Sequence, residues 1–197
     1  MESTPQQNPE LPELSRSKLL QLSLSSGLLW IILGAGIIYF FQEPSILDVL
    51  MDGLGIEVQA ITGTGSGIVF GLMAALLMKH PSMEIISEDY FIVKEIKKLN
   101  LKKFDILQIS LVAGITEEFL FRAAIQPILG VWLTSLIFVA IHGYIKIKSL
   151  AHITFALFVF LLSMVLGLLF IYYGIFSAMI AHAVYDIIVL YLIRNKA

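Results

Sequence analysis

Six side chains that can hold or move a proton sit in stretches that should carry none. Glu117, Glu118 and Arg122 lie inside the apolar run 106–129. His142 lies in the run 131–144, and His182 and Asp186 lie in the run 175–193. An ionised group near a bilayer centre costs about 2.5–3.5 kcal/mol on insertion scales, so such groups pair with one another or do chemistry. Helical spacing sorts them. Glu118 and Arg122 are four apart and share a face, while Glu117 points about 100° away. His182 and Asp186 are also four apart. A carboxylate sheltered from bulk water is a usable base near neutral pH, and with an imidazole it can polarise one water. A second imidazole and the polar side chain one turn away can donate hydrogen bonds to a developing oxyanion. This is equipment for hydrolysing an amide with water as nucleophile.

Plainer readings stay open for each residue. Glu118 with Arg122 can be a buried structural ion pair, and Glu117 a helix-packing hydrogen bond. His142 can be an interfacial histidine near Lys146, and His182 with Asp186 a self-satisfied pair. Glu117, His142, His182 and Asp186 can in principle hold zinc, although the H-E-x-x-H pattern is absent. His80 and His152 lie near the cytoplasmic boundary, fit no motif and read as interfacial, and Tyr185 and Trp30 read as residues that pack or sit at helix interfaces.

The elements that must position these groups are apolar helices. Of 197 residues 58% are hydrophobic and 14% charged, against about 45–50% and about 25% in soluble domains. Mean hydropathy is +0.88. Runs of about 20 apolar residues mean a polytopic helical bundle, and the alternating ten-residue strands of a β-barrel are missing. The expected fold is an all-α membrane bundle of about six spans: 22–41, 58–78, 106–129, 131–144, 150–172 and 175–193. The fourth is short and must be tilted or lie within the bundle. Basic residues fall on alternate connections, with six lysines in 79–103 and none in 42–57, so both termini are expected in the cytoplasm. The polar segment 1–20, with Pro5, Pro9 and Pro12, reads as a disordered tail, and 21–197 as one transmembrane domain. The run 22–41 is too long for a signal core and reads as an uncleaved anchor. Between the lysines, Ile92, Val93, Ile96 and Leu99 suggest an amphipathic helix on the membrane surface. Gly63, Gly65, Gly67 and Gly71 read as a close-packing stripe. There is no cysteine, which removes disulfides, thiolate nucleophiles and cysteine–zinc sites. The net charge of −2 gives no reason to expect nucleic acid.

The series E-E-x-x-x-R (117–122), F-x-x-x-H (138–142) and H-x-x-x-D (182–186) also carries a resemblance. In that order, each in a membrane helix, it resembles the CAAX-protease and bacteriocin-processing (CPBP, or Abi) family, which includes prenyl-protein endopeptidases. The resemblance covers about 104–193. It implies a metal-independent, glutamate-type intramembrane endopeptidase without a cofactor. In that scheme Glu117 is the main base, with His142 helping to activate the water. His182 and Asp186 line the oxyanion side, and Glu118 with Arg122 is structural. Many members have Asn where this chain has Asp186, and a carboxylate cannot donate a hydrogen bond unless protonated. The implied partners are the lipid bilayer and a membrane-embedded or lipidated peptide or protein substrate. With no targeting peptide, the expected location is a prokaryotic plasma membrane. From other classes, a non-catalytic immunity or scaffold protein keeping the fold, or a proton-relay transporter, would use the same acids differently.

Overall fold

The computed structural model describes residues 14–43, 45–99 and 101–195, except the side chains at 87, 88, 91 and 92. The expected tail up to residue 13 and the Ile92 side chain thus lie outside the described residues. Nine α-helices are described: α1 (Arg16–Phe41), α2 (Ile46–Met51), α3 (Ile56–Leu77), α4 (Glu84–Asp89), α5 (Phe91–Lys98), α6 (Lys103–Glu118), α7 (Gln126–Ile141), α8 (Leu150–Tyr173) and α9 (Ile175–Arg194). A 3₁₀ turn precedes α4, and a π-helical segment, Phe119–Ile125, joins α6 to α7. No strand is present among the described residues; there is one isolated bridge between Gly53 and Gly174. The chain is an all-α polytopic bundle.

Five helical stretches are long and apolar enough to cross a membrane. One of them, Lys103–Ile141, has 39 residues, which as a straight helix would run about 58 Å, twice the hydrocarbon thickness. It folds back instead. Gly130 has φ 74° and ψ 167°, a conformation that side chains disfavour. Across this turn the rings of Phe121 and Phe138 come within 5.0 Å, whereas an unbroken helix would hold them roughly 25 Å apart. The stretch is therefore a hairpin whose legs match the third and fourth expected runs. The second leg, 131–141, spans only about 16 Å.

Between lipid-facing helices close backbone approach replaces the hydrophobic effect as the glue. A Cβ at Gly63 would lie 2.6 Å from Ser177 O, and one at Gly67 would lie 2.6 Å from Ala181 O. Gly71 is as tight against Ile188, so this stripe seats α3 on α9. Gly65 has nothing within 4 Å and takes no part in the seam. On its other side α9 meets α6, where Gly114 lies against Met179 O and Ala183 N. The helix that carries His182 and Asp186 is thus clasped between α3 and the helix that carries Glu117 and Glu118.

The amphipathic connection forms a cap rather than one long surface helix. It breaks at Tyr90 into α4 and α5. Ile96 joins a buried cluster with Leu19, Leu101, Ile106, Leu190 and Ile193, at the ends of α1, α6 and α9. Tyr90 and Ile86 pack on Ala151 of α8. A polar latch fixes the α4 end. Asp89 Oδ2 accepts from Lys148 Nζ at 3.0 Å and lies 3.0 Å from His152 Nε2, while Lys146 Nζ donates to Asp89 O at 2.7 Å. His152 is fully buried, not interfacial, with Ser149 Oγ 2.8 Å from its Nδ1. The hydrogen bond from Lys148, aided by His152, holds the Asp89 carboxyl below the usual carboxylate range. A lowered carboxylate pKa stabilises above the ordinary value, so the latch is complete above about pH 4 and is lost as pH falls further. Asp89→Asn should speed amide exchange across 84–98 by roughly two- to fivefold, read by hydrogen–deuterium exchange in micelles. Unchanged exchange there would mean that the apolar contacts alone hold the cap.

Candidate active site

Glu118 and Arg122 end up one helical turn apart, as their spacing requires, and both are fully buried. Arg122 Nε donates to Glu118 Oε2 at 2.7 Å, and Arg122 Nη2 donates to Ser163 Oγ of α8 at 2.9 Å. The guanidinium also lies 5.5 Å from the centre of the Phe138 ring. The other oxygen of the carboxylate, Glu118 Oε1, is 2.8 Å from His182 Nδ1. A carboxylate flanked by two nitrogens accepts from both, so His182 Nδ1 carries a proton. The π-helical segment begins immediately after Glu118 and contains Arg122. Such wide turns are rare and re-aim side chains, often at functional sites.

Glu117 points elsewhere. Its Oε2 lies 3.3 Å from Nε2 of His142, the residue that caps the C-terminal end of the hairpin's second leg. His142 Nδ1 is 2.7 Å from Phe138 O. A carbonyl only accepts, so this nitrogen donates, and in a neutral ring Nε2 turns its lone pair toward Glu117. Two acceptors that close repel unless one proton lies between them. The pair is thus built to hold a single shared proton, and without it to accept protons from a water. On α9, Asp186 Oδ2 is 3.6 Å from His182 Nε2, too far for a direct hydrogen bond.

Glu117, His142, His182 and Asp186 line one cavity of about 610 Å³, and Glu118 and Arg122 do not. The four polar groups lie in two close pairs, Glu117 with His142 and His182 with Asp186. The walls are apolar, with Phe138, Phe158, Leu162, Val189 and Ile193 among them, and the cap closes over through Ile86, Val93 and Ile96. At the cap the lining includes Lys79, His80, Glu84 and Lys97. Among the described residues no group of three or more His, Asp or Glu side chains is arranged to hold a metal ion.

The six polar residues singled out in the sequence therefore fall into two adjoining sets, joined by the contact between Glu118 and His182. That contact crosses 64 positions, and no local spacing announces it. Ser163 and Tyr144 also belong to the neighbourhood and carry no motif of their own. Tyr144 lines the cavity, its ring 5.5 Å from that of His142 and 20° from parallel.

Fold and site together define a polytopic helical membrane protein with an acid–histidine cavity inside the bundle. Residues 100–188 match the family model described as type II CAAX prenyl endopeptidase Rce1-like, a stretch that holds all six polar residues. By that match residues 100–188, a little under half of the chain, are similar to the CAAX-protease family. No curated protein and no solved structure matches the chain.

Proposed function

We propose that this protein is an intramembrane endopeptidase in which Glu117, with His142, activates a water to cleave a membrane-embedded or lipidated peptide. The observation that carries the reading is the separation of roles around one cavity. Glu117, His142, His182 and Asp186 face it, while the Glu118–Arg122 pair is sealed behind. The water oxygen attacks the scissile carbonyl carbon, and its proton passes to the Glu117–His142 pair. The carbonyl oxygen becomes an oxyanion on the side of His182 and Asp186. Collapse of the tetrahedral intermediate breaks the C–N bond, and the stored proton goes to the leaving amine. One water is consumed, its OH ending on the acyl product and its hydrogen on the amine. Glu118 orients His182 through Nδ1, and Arg122 neutralises Glu118.

Both termini and the cap lie on the cytoplasmic side in this reading, because the basic connections gather there. The bundle from residue 21 onward works as one transmembrane domain, in a prokaryotic plasma membrane. A substrate chain enters beneath the cap, its apolar part along the cavity walls. Purified protein in liposomes is expected to cleave a quenched-fluorescent prenylated peptide at a rate unaffected by EDTA and lost in Glu117→Gln. Equal cleavage by wild type and Glu117→Gln would sink the assignment, and loss on chelation would move it to metal chemistry.

A further inference from the structure

An oxyanion needs hydrogen-bond donors, and the site is short of them. Glu117 and Asp186 are carboxylates, which accept. His142 spends its Nδ1–H on Phe138 O, and His182 spends its Nδ1–H on Glu118. His182 Nε2 donates only when the ring is doubly protonated. Two cavity-lining hydroxyls remain, those of Tyr144 and Tyr185.

Tyr144 is the better placed. It follows His142 by two residues, across Gly143 at φ 68°. No atom lies within 4 Å of where a Cβ on Gly143 would sit, so backbone conformation, not crowding, calls for glycine. That left-handed turn folds the chain back so that the Tyr144 ring stacks on His142. The ring is held on its other sides by Tyr90 at 5.6 Å and Phe155 at 5.3 Å, and Tyr90 Oη donates to Tyr144 O at 3.1 Å. The Tyr144 hydroxyl itself makes no hydrogen bond to another described residue, and its side chain lines the same cavity as Glu117 and Asp186. Tyr185 packs by its ring on Phe158 at 6.3 Å and has no such tie to His142.

We propose that the hydroxyl of Tyr144, whose ring packs on His142 in the cavity that Glu117 and Asp186 also line, donates the hydrogen bond to the scissile carbonyl oxygen as it becomes an oxyanion. It supplies what a carboxylate at position 186 cannot. The inference rests on the endopeptidase reading, and its failure is separable from the failure of that reading.

The test uses the full chain in liposomes with the prenylated fluorogenic peptide. Tyr144→Phe keeps the ring and its three aromatic contacts and removes one oxygen. It should lower kcat by about 10²-fold and leave KM within about twofold, because a transition-state donor is lost and ground-state binding is not. Melting temperature should stay at the wild-type value. Placing 4-aminophenylalanine at 144 restores a donor on the same ring and should recover at least about a tenth of the lost rate. A Tyr144→Phe enzyme with wild-type kcat overturns the proposal. So does a loss matched by a fall in melting temperature and not rescued by the amino analogue, or a loss seen in Tyr185→Phe instead. If wild type cleaves no faster than Glu117→Gln, the endopeptidase reading itself has failed.

Discussion

Replacing Glu117 by Gln and His142 by Ala in one chain is expected to slow peptide cleavage no further than Glu117→Gln alone. Each single change should cost about 10²–10⁴-fold in kcat/KM, the range for a positioned general base. The reason for expecting no sum is the geometry. The two side chains stand 3.3 Å apart, and the bond of His142 Nδ1 to Phe138 O leaves Nε2 facing the carboxylate. One proton serves both, so removing either partner removes the same function, and groups that act as a unit are strongly non-additive. Glu117 takes no part in the buried Arg122 network, so Glu117→Gln should keep its melting temperature. The measurement is kcat/KM for wild type, both singles and the double variant. Losses that multiply would show two independent contributions and would break the shared-proton account.

How far the sequence carried this picture depends on distance along the chain. The apolar runs have the right lengths, and Gly130 reads as a connection, because membrane helices must be long and uninterrupted. The pairs four residues apart were legible for the same local reason, and Glu118 with Arg122 forms the ion pair that spacing suggested. Of the contacts between helices, only the glycine seam and, through the family resemblance, Glu117 with His142 were legible. The first helix starts at Arg16, six residues before the apolar run. Ser15 caps it, and Arg16 Nη2 donates to the buried Asp105 at 2.6 Å, a bond across 89 positions. In the same way Glu118 and His182 belong to different motifs yet share a hydrogen bond. Tyr144 escaped notice because its place depends on the backbone of Gly143, whose left-handed turn is invisible to apolar periodicity. His152 looked interfacial by position, and the cap that covers it is held by Asp89, 63 residues earlier.

Arg122→Met should be among the most destabilising single changes in the chain. Arg122 and Glu118 are both fully buried, so deleting the cation leaves a carboxylate in low dielectric with only His182 Nδ1 against it. Breaking a buried pair from one side costs about 3–5 kcal/mol. The cost is that of the stranded charge more than of the lost bond. Removing the charge as well should therefore return much of the loss. In Glu118→Gln/Arg122→Met the amide oxygen still accepts from His182 Nδ1, and methionine fills the space beside Phe138. The double variant should unfold later than Arg122→Met in denaturant titrations in micelles. A double variant no more stable than the single would reject the stranded-charge explanation. The same proteins test whether Glu118 is only structural. If Glu118 is purely structural, Arg122→Met loses activity only as far as it loses folded protein, and the rate per folded molecule holds. A wild-type melting curve with a collapsed rate would instead give Glu118 a part in the chemistry, through its hold on His182 or as the base itself.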